Sequence, residues 1–355
     1  MKTLSTAIVR GNNNYGLIRL ITASMVIVNH STVLFPNNFQ MIETGYLRLW
    51  VFFFLSGLFI TSSFDHSKTR LSFIIMRVCR LWPALIVCTL FTVFLIGPIV
   101  TKVSLYRYFT DIITWKYMIS NSLIFNLKYY LPGVFTENHV PGIVNNSLWT
   151  IPMELKCYSI VFILGCLGVF KNKWLMIVSY ILVALYLFST TLNFWEVNPN
   201  SIILYMLFLM GSVSYFFKKY IYLDYKVAII LLIISIIVYK NLALRYVIPF
   251  AQIAIIYNVL TLGASNFLKN INLPGDYSYG IYIYGFLVQQ TIACYLPAIT
   301  PFKSLLITMP VVIVLGALSW HFIENPVLKF GKKLSTMNKL EIQIRLKSFL
   351  KINKA

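Results

Sequence analysis

LWPALIVCTLFTVFLIGPIV, residues 81–100, runs for twenty residues without a charged side chain. About twenty apolar residues in a helix cross the hydrocarbon core of a bilayer. Comparable runs recur along the whole chain. The composition agrees: 59% of residues are hydrophobic and 11% charged, against roughly 25% charged in an ordinary soluble domain. A water-soluble fold of 355 residues could not hide that much apolar surface.

Working outward from this run, the pattern predicts an all-α, polytopic membrane bundle of about ten transmembrane helices. The spans fall near 17–35, 46–63, 81–100, 148–169, 174–192, 201–217, 225–239, 245–262, 277–296 and 304–323. Residues 1–326 form one transmembrane domain with an outer loop over 101–147, and 327–355 a basic cytoplasmic tail that contacts anionic lipid. The loop contains Pro132, Gly133, Pro141 and Gly142 and a surface helix near 117–126. Long ordered loops are often functional. Lys2 and Arg10 precede the first run without a small-residue cleavage site, so it reads as a retained helix.

The net charge of +20 is not a nucleic-acid footprint, because the basic residues sit between apolar runs and in the tail. With the first residues cytoplasmic, twenty of the thirty Lys and Arg fall in cytoplasmic segments and seven in outer ones. Arg19, Arg48 and Lys156 lie within spans. That asymmetry orients both ends of the chain inward. Trp50, Trp82, Trp149, Trp174 and Trp320 fall at predicted helix ends and Trp195 just beyond one, where indole prefers the headgroup layer. Cys79, Cys88, Cys157, Cys166 and Cys294 are odd in number and lie in apolar runs. They read as small buried hydrophobes, with no metal site. No zinc, P-loop, dinucleotide or serine-hydrolase motif is present.

Ionisable groups inside a bilayer are costly and mark function by default. In RLITASMVIVNH, residues 19–30, Arg19 at the cytoplasmic end and His30 near the outer end are eleven residues apart. That is roughly three turns on one face, about 16 Å. Glu154, in NNSLWTIPMELKCY, lies on the fourth span at a depth matching His30 to about one turn, so the two form a candidate catalytic pair. Lys156 points to another face and snorkels outward. Arg77 and Arg80 sit just ahead of the third span, share a helix face and could grip phosphates together. Positive-inside topology explains the pair equally well. His321 and Glu324 could pair at the inner end of the last span. Physics alone leaves an enzyme and a glycan or lipid transporter nearly even.

Several segments, in order, resemble the acyltransferase 3 family of membrane proteins. They are Arg19 with His30, FFFLSGLFI at 52–60, RVCR followed by LWPAL at 77–85, SLWTIPMELKCY at 147–158, GDYSYGIYIYGF at 275–286 and FIENP at 322–326. The resemblance implies a ten-helix bundle that takes an acyl group, usually from cytoplasmic acetyl-CoA, and delivers it to an acceptor hydroxyl. The acceptor is commonly an envelope polysaccharide or lipid-linked glycan. It also implies that His30 is the essential histidine, Arg19 its partner, Arg77 and Arg80 the paired arginines of the acyl-CoA site, and Glu154 the acidic position. One departure stands out: Gly285 occupies a place where many members have a second histidine, and Gln289 and Gln290 are the polar residues nearby.

These residues suit hydroxyl acylation. Imidazole titrates in the range a general base needs, so His30 is expected to take the acceptor's proton while Glu154 orients it. An acyl-His30 intermediate is the alternative chemistry. Asn145, Asn146 and Ser147, at the mouth of the fourth span, are the candidate oxyanion donors.

Overall fold

A computed structural model describes residues 2–9, 13–35, 47–193, 199–241, 244–266, 271 and 273–336. Arg10, Trp195 and the basic tail beyond Thr336 lie outside the described residues. A helix occupies each predicted span. They are α1 (Tyr15–Leu34), α2 (Leu47–Asp65), α3 (Arg70–Val100), α6 (Thr150–Cys166), α7 (Lys173–Asn193), α8 (Pro199–Phe216), α9 (Tyr225–Asn241), α10 (Leu244–Gly263), α11 (Ser278–Tyr295) and α12 (Pro301–Leu318). Two short helices, α4 (Leu105–Thr110) and α5 (Ile112–Ser122), lie in the 101–147 loop, and α13 (Asn325–Thr336) follows α12. Among the described residues, five helical stretches are long and apolar enough to cross a membrane, and four more are apolar but shorter. The one sheet among them is a two-residue antiparallel ladder joining Lys2–Thr3 to Tyr222–Leu223.

The third helix starts eleven residues earlier than its apolar run. Thr69 caps it, accepting from the Ser72 amide at 3.0 Å, while Ser72 Oγ accepts from the Thr69 amide. This reciprocal capping box fixes the start at Arg70. Arg77 and Arg80 therefore lie within the helix and face the bundle, not ahead of it at the surface. Within α3 a π-helical turn spans Thr92–Ile96.

Helix α2 is the bundle's centre, with Phe53, Phe54, Leu55 and Leu58 fully buried. It packs against α8 at backbone contact. A Cβ on Gly57 would lie 1.9 Å from the Phe208 carbonyl oxygen, and one on Gly211 would lie 2.1 Å from that of Phe54. Small residues permit such approach where lipid offers no hydrophobic drive. Gly57→Val is therefore expected to cost about 1–3 kcal/mol or more of stability, read as a lower melting temperature in detergent. Near-wild-type melting would show that α2 and α8 can separate freely.

The start of α1 is tied to the end of α10: the Asn14 amide donates to Gly263 O and its side chain to Ser265 O, both at 2.8 Å. Lys2 Nζ reaches Ala264 O at 2.7 Å, and α13 packs along α3. The first described residues and α13 thus share one end of the bundle. The 101–147 loop occupies the other end. Its own small core contains Tyr108, Tyr117, Val134, Phe135 and Val144 and rests on Val93 of α3 and Leu287 of α11.

Candidate active site

Residues from three other helix ends converge around Arg80 of α3. Its Nη2 donates to Asp276 Oδ2 at 2.8 Å and its Nη1 to Glu324 Oε2 at 2.9 Å. Arg19 Nη1 reaches the same Asp276 oxygen at 3.3 Å. The rings of Tyr279 and Trp320 flank the Arg80 guanidinium at 5.7 and 5.8 Å. Glu324 belongs to a π-helical turn, Ser319–Glu324, and is held by Ser319 Oγ at 2.9 Å. Residues five apart align in a π-turn, so this wider turn places the hydroxyl under the carboxylate. His321 bonds Tyr277 OH at 3.0 Å. His321 and Glu324, which could have paired, do not; Arg80 takes Glu324.

Asp276 stands outside the spans. Burial works against its ionisation, but Arg80 and Arg19, joined by Ser278, outweigh that and hold its carboxyl well below the usual range. A carboxyl depressed on folding adds stability that is full above its unfolded value, about 4, and is lost as pH falls through the folded one. Wild-type melting temperature is expected to fall as pH drops below about 4. Asp276→Asn, less stable at neutral pH, should lose less over the same interval. Parallel acid profiles would show that Asp276 does not carry this linkage.

A second polar group lies beside the first. Glu154 Oε1 accepts from Tyr158 OH at 2.6 Å and Ser56 Oγ at 3.3 Å. Arg77 lies over the rings of Phe73 and Tyr158 at 5.8 and 5.9 Å and reaches Ser63 Oγ at 3.4 Å. Its Nε is buried without a hydrogen-bond partner, and among the described residues no carboxylate pairs with it. Arg77 and Arg80, three apart in sequence, thus differ in kind: one is doubly ion-paired, the other has hydrogen-bonding capacity to spare.

His30 is elsewhere. Its ring meets Phe286 of α11 edge-on, centroids 5.0 Å apart, and its Nδ1 is buried without a hydrogen-bond partner. The charged group acting on it is Arg48, from α2. His30 and Glu154 form neither a hydrogen bond nor an ion pair. Equal depth on two helices does not fix which way each side chain points, and Glu154 turns toward Tyr158 and the arginines. At Gly285 a Cβ would stand 2.9 Å from Ile27 Cγ1, so α1 and α11 touch here and a larger residue would force them apart.

Of the oxyanion candidates, Asn145 is committed to the fold. Its Nδ2 donates to Ile283 O at 2.8 Å and its Oδ1 accepts from the Ser147 amide at 3.2 Å. Asn146 is exposed. Ser147 Oγ is buried and unpartnered, which leaves it as the free donor of the three. Gln290 pins the 101–147 loop to α11: it donates to Val140 O and Ile143 O at 2.9 and 2.7 Å and accepts from Asn138 at 2.6 Å. Lys156 is exposed on the far side of α6, as its spacing from Glu154 predicts.

A family pattern described as an acyltransferase domain matches residues 12–321. The chain belongs to the acyltransferase 3 family. It is 28% identical over 345 residues to an O-acetyl transferase of Shigella phage Sf6, covering 91% of this chain and 98% of that protein. It is also 26% identical over 363 residues to nodulation protein 10 of Rhizobium leguminosarum bv. viciae, covering 91% and 95%. No solved structure matches significantly.

The protein is therefore an acyltransferase, and two of its polar residues were not singled out by sequence reasoning. Asp276, which ties Arg19 to Arg80, lies within GDYSYG. An acid flanking an apolar run in a chain with only ten Asp and Glu was the available signal. Tyr158, the hydroxyl on Glu154, lies one turn further along α6, a spacing that sets the two on one face.

Proposed function

We propose that this acyltransferase crosses the membrane ten times with both ends cytoplasmic. It moves an acetyl group from acetyl-CoA to a hydroxyl of an envelope glycan or lipid-linked saccharide at the inner, plasma-type membrane. The observation that carries this reading is His30: an imidazole with an unpartnered buried nitrogen, on α1 between the loop-covered end and the arginine cluster. An acyl acceptor needs a base of this kind.

The donor's phosphates belong at the arginine end. Arg80 is engaged by two carboxylates, so Arg77 offers the free guanidinium hydrogen bonds, with Arg19 beside it. A cavity of about 360 Å³ at this end is lined by Lys68, Arg70 and Lys171 together with Asp65, a net-basic surface suited to a phosphate-bearing donor. From the other end the acceptor approaches His30 under the loop that Gln290 anchors. His30 takes the hydroxyl proton as the oxygen attacks the thioester carbonyl. Ser147 Oγ is the candidate donor to the resulting oxyanion. The C–S bond then breaks, and the thiolate takes the proton back from the imidazolium. Glu154 acts through Tyr158 and Arg77 on the donor side, not as the orienting acid of His30. The likeness to an O-acetyl transferase supports acetyl as the acyl group.

The test supplies labelled acetyl-CoA to membranes containing the wild-type protein and native saccharide acceptors. Label is expected in the saccharide fraction, above membranes lacking the protein. No transfer with acetyl-CoA, but transfer with another acyl-CoA, would correct the acyl group. No transfer from any acyl-CoA would remove the donor assignment.

A further inference from the structure

Gln289 is fully buried on α11 at 0% exposure. Its Nε2 donates to the Ile27 carbonyl at 2.9 Å. A carbonyl can only accept, which fixes the orientation of the amide and turns Oε1 the other way. That oxygen is buried and has no hydrogen-bond partner. Buried polar atoms are rarely left so, and those that are call for a functional explanation.

Two features place this oxygen beside His30. In a helix the carbonyl of residue i lies against residues i+3 and i+4, so an amide docked on Ile27 O sits next to position 30. On the opposite helix, Phe286 precedes Gln289 by three residues and meets the His30 ring edge-on. One seam between α1 and α11 therefore holds an acceptor without a donor, Gln289 Oε1, and a ring nitrogen without a partner, His30 Nδ1.

We infer that Gln289 is the positioning residue of His30, accepting from its Nδ1–H in the working complex so that Nε2 keeps the lone pair. The inference rests on the reading of His30 as the base. A neutral imidazole carries one N–H, and the bond it makes decides which nitrogen is free. Catalytic hydrogen bonds are often open before substrate enters and close in the complex. An amide supplies direction without charge, to an imidazole that already feels the positive charge of Arg48 on α2. Here a neutral carboxamide takes the place that a carboxylate holds in acid–histidine dyads.

The experiment compares wild type, Gln289→Met and Gln289→Glu in the acyl-transfer assay across pH, with melting temperatures taken in parallel. Gln289→Met should lower kcat on the order of 10- to 100-fold, the value of one hydrogen bond to a group that becomes charged. The KM for the acyl donor should be unchanged. Its acid limb of kcat/KM should move to lower pH, because the imidazolium has lost an acceptor. Gln289→Glu should recover much of the rate and move the limb to higher pH, since a carboxylate stabilises the imidazolium. A residue that only pins Ile27 would lose rate in both variants and leave the limb in place, and that result overturns the inference. A folded wild type whose transfer is indifferent to His30→Ala overturns the reading beneath it. The two failures are therefore distinct.

Discussion

Membranes carrying His30→Ala are expected to transfer acyl groups at least ~100-fold more slowly than wild type, and up to ~10,000-fold, the range that one general base contributes. The protein should remain inserted and folded. Among the described residues the ring has one aromatic neighbour, Phe286, and a buried nitrogen that bonds nothing. Its removal deletes a contact and relieves an unsatisfied atom, so the stability change should stay within the ordinary range of about 0.5–3 kcal/mol. Initial rates with labelled donor, set beside melting curves, separate the two effects. A folded His30→Ala protein working at the wild-type rate would end the assignment of His30 as base. His30→Gln, which keeps a polar side chain without a base, should behave like the alanine variant.

Arg80→Gln should be the most destabilising single change in the polar layer. The Arg80 side chain is 13% exposed and Glu324 is 0% exposed. Deleting the guanidinium leaves Glu324 and Asp276 facing each other with Arg19 alone to offset them. Breaking a buried pair in this way costs about 3–5 kcal/mol. Arg77→Gln should contrast with it. Arg77 has no carboxylate within ion-pair range among the described residues, so stability should change little while the KM for the donor rises. Melting temperatures and donor KM values for the two variants provide the check. Equal loss of stability in both would mean that Arg77 is structural as well, and the phosphate-binding role proposed for it would fall.

The helices were legible because lipid demands long contiguous apolar runs, and FFFLSGLFI or LWPALIVCTLF cannot be mistaken for a soluble surface. The beginning of α3 was not. A hydropathy reading stops at the first guanidinium, whereas Arg77 and Arg80 continue the helix inward because tertiary partners receive them. Those partners lie far away in the chain: Arg80 meets Asp276 across 196 residues and Glu324 across 244. Depth was legible for Glu154, but azimuth was not. One residue's rotation is about 100°, enough to turn a carboxylate from His30 to Tyr158. The candidates His30, Arg19, Arg77, Arg80 and Glu154 stood out as polar atoms in an apolar setting. Which of them share partners required the packing of α1, α3, α6, α11 and α12.

The π-helical turn at Ser319–Glu324 has a further consequence. A π-turn holds one residue more than an α-turn, so α12 and α13, though continuous, are out of phase with each other. Before the turn the helix packs on α11 and α1; after it, on α3. The element therefore stores an insertion. Removing a single residue between 319 and 324 would close the wide turn into an ordinary one, in which residues four apart fall within about 40° of one direction and replace the five-apart alignment. Glu324 would keep its face toward Arg80, and α13 its face toward α3. A one-residue deletion can thus be absorbed at this turn, whereas the same deletion in the regular winding of α13 would rotate the residues after it by about 100°.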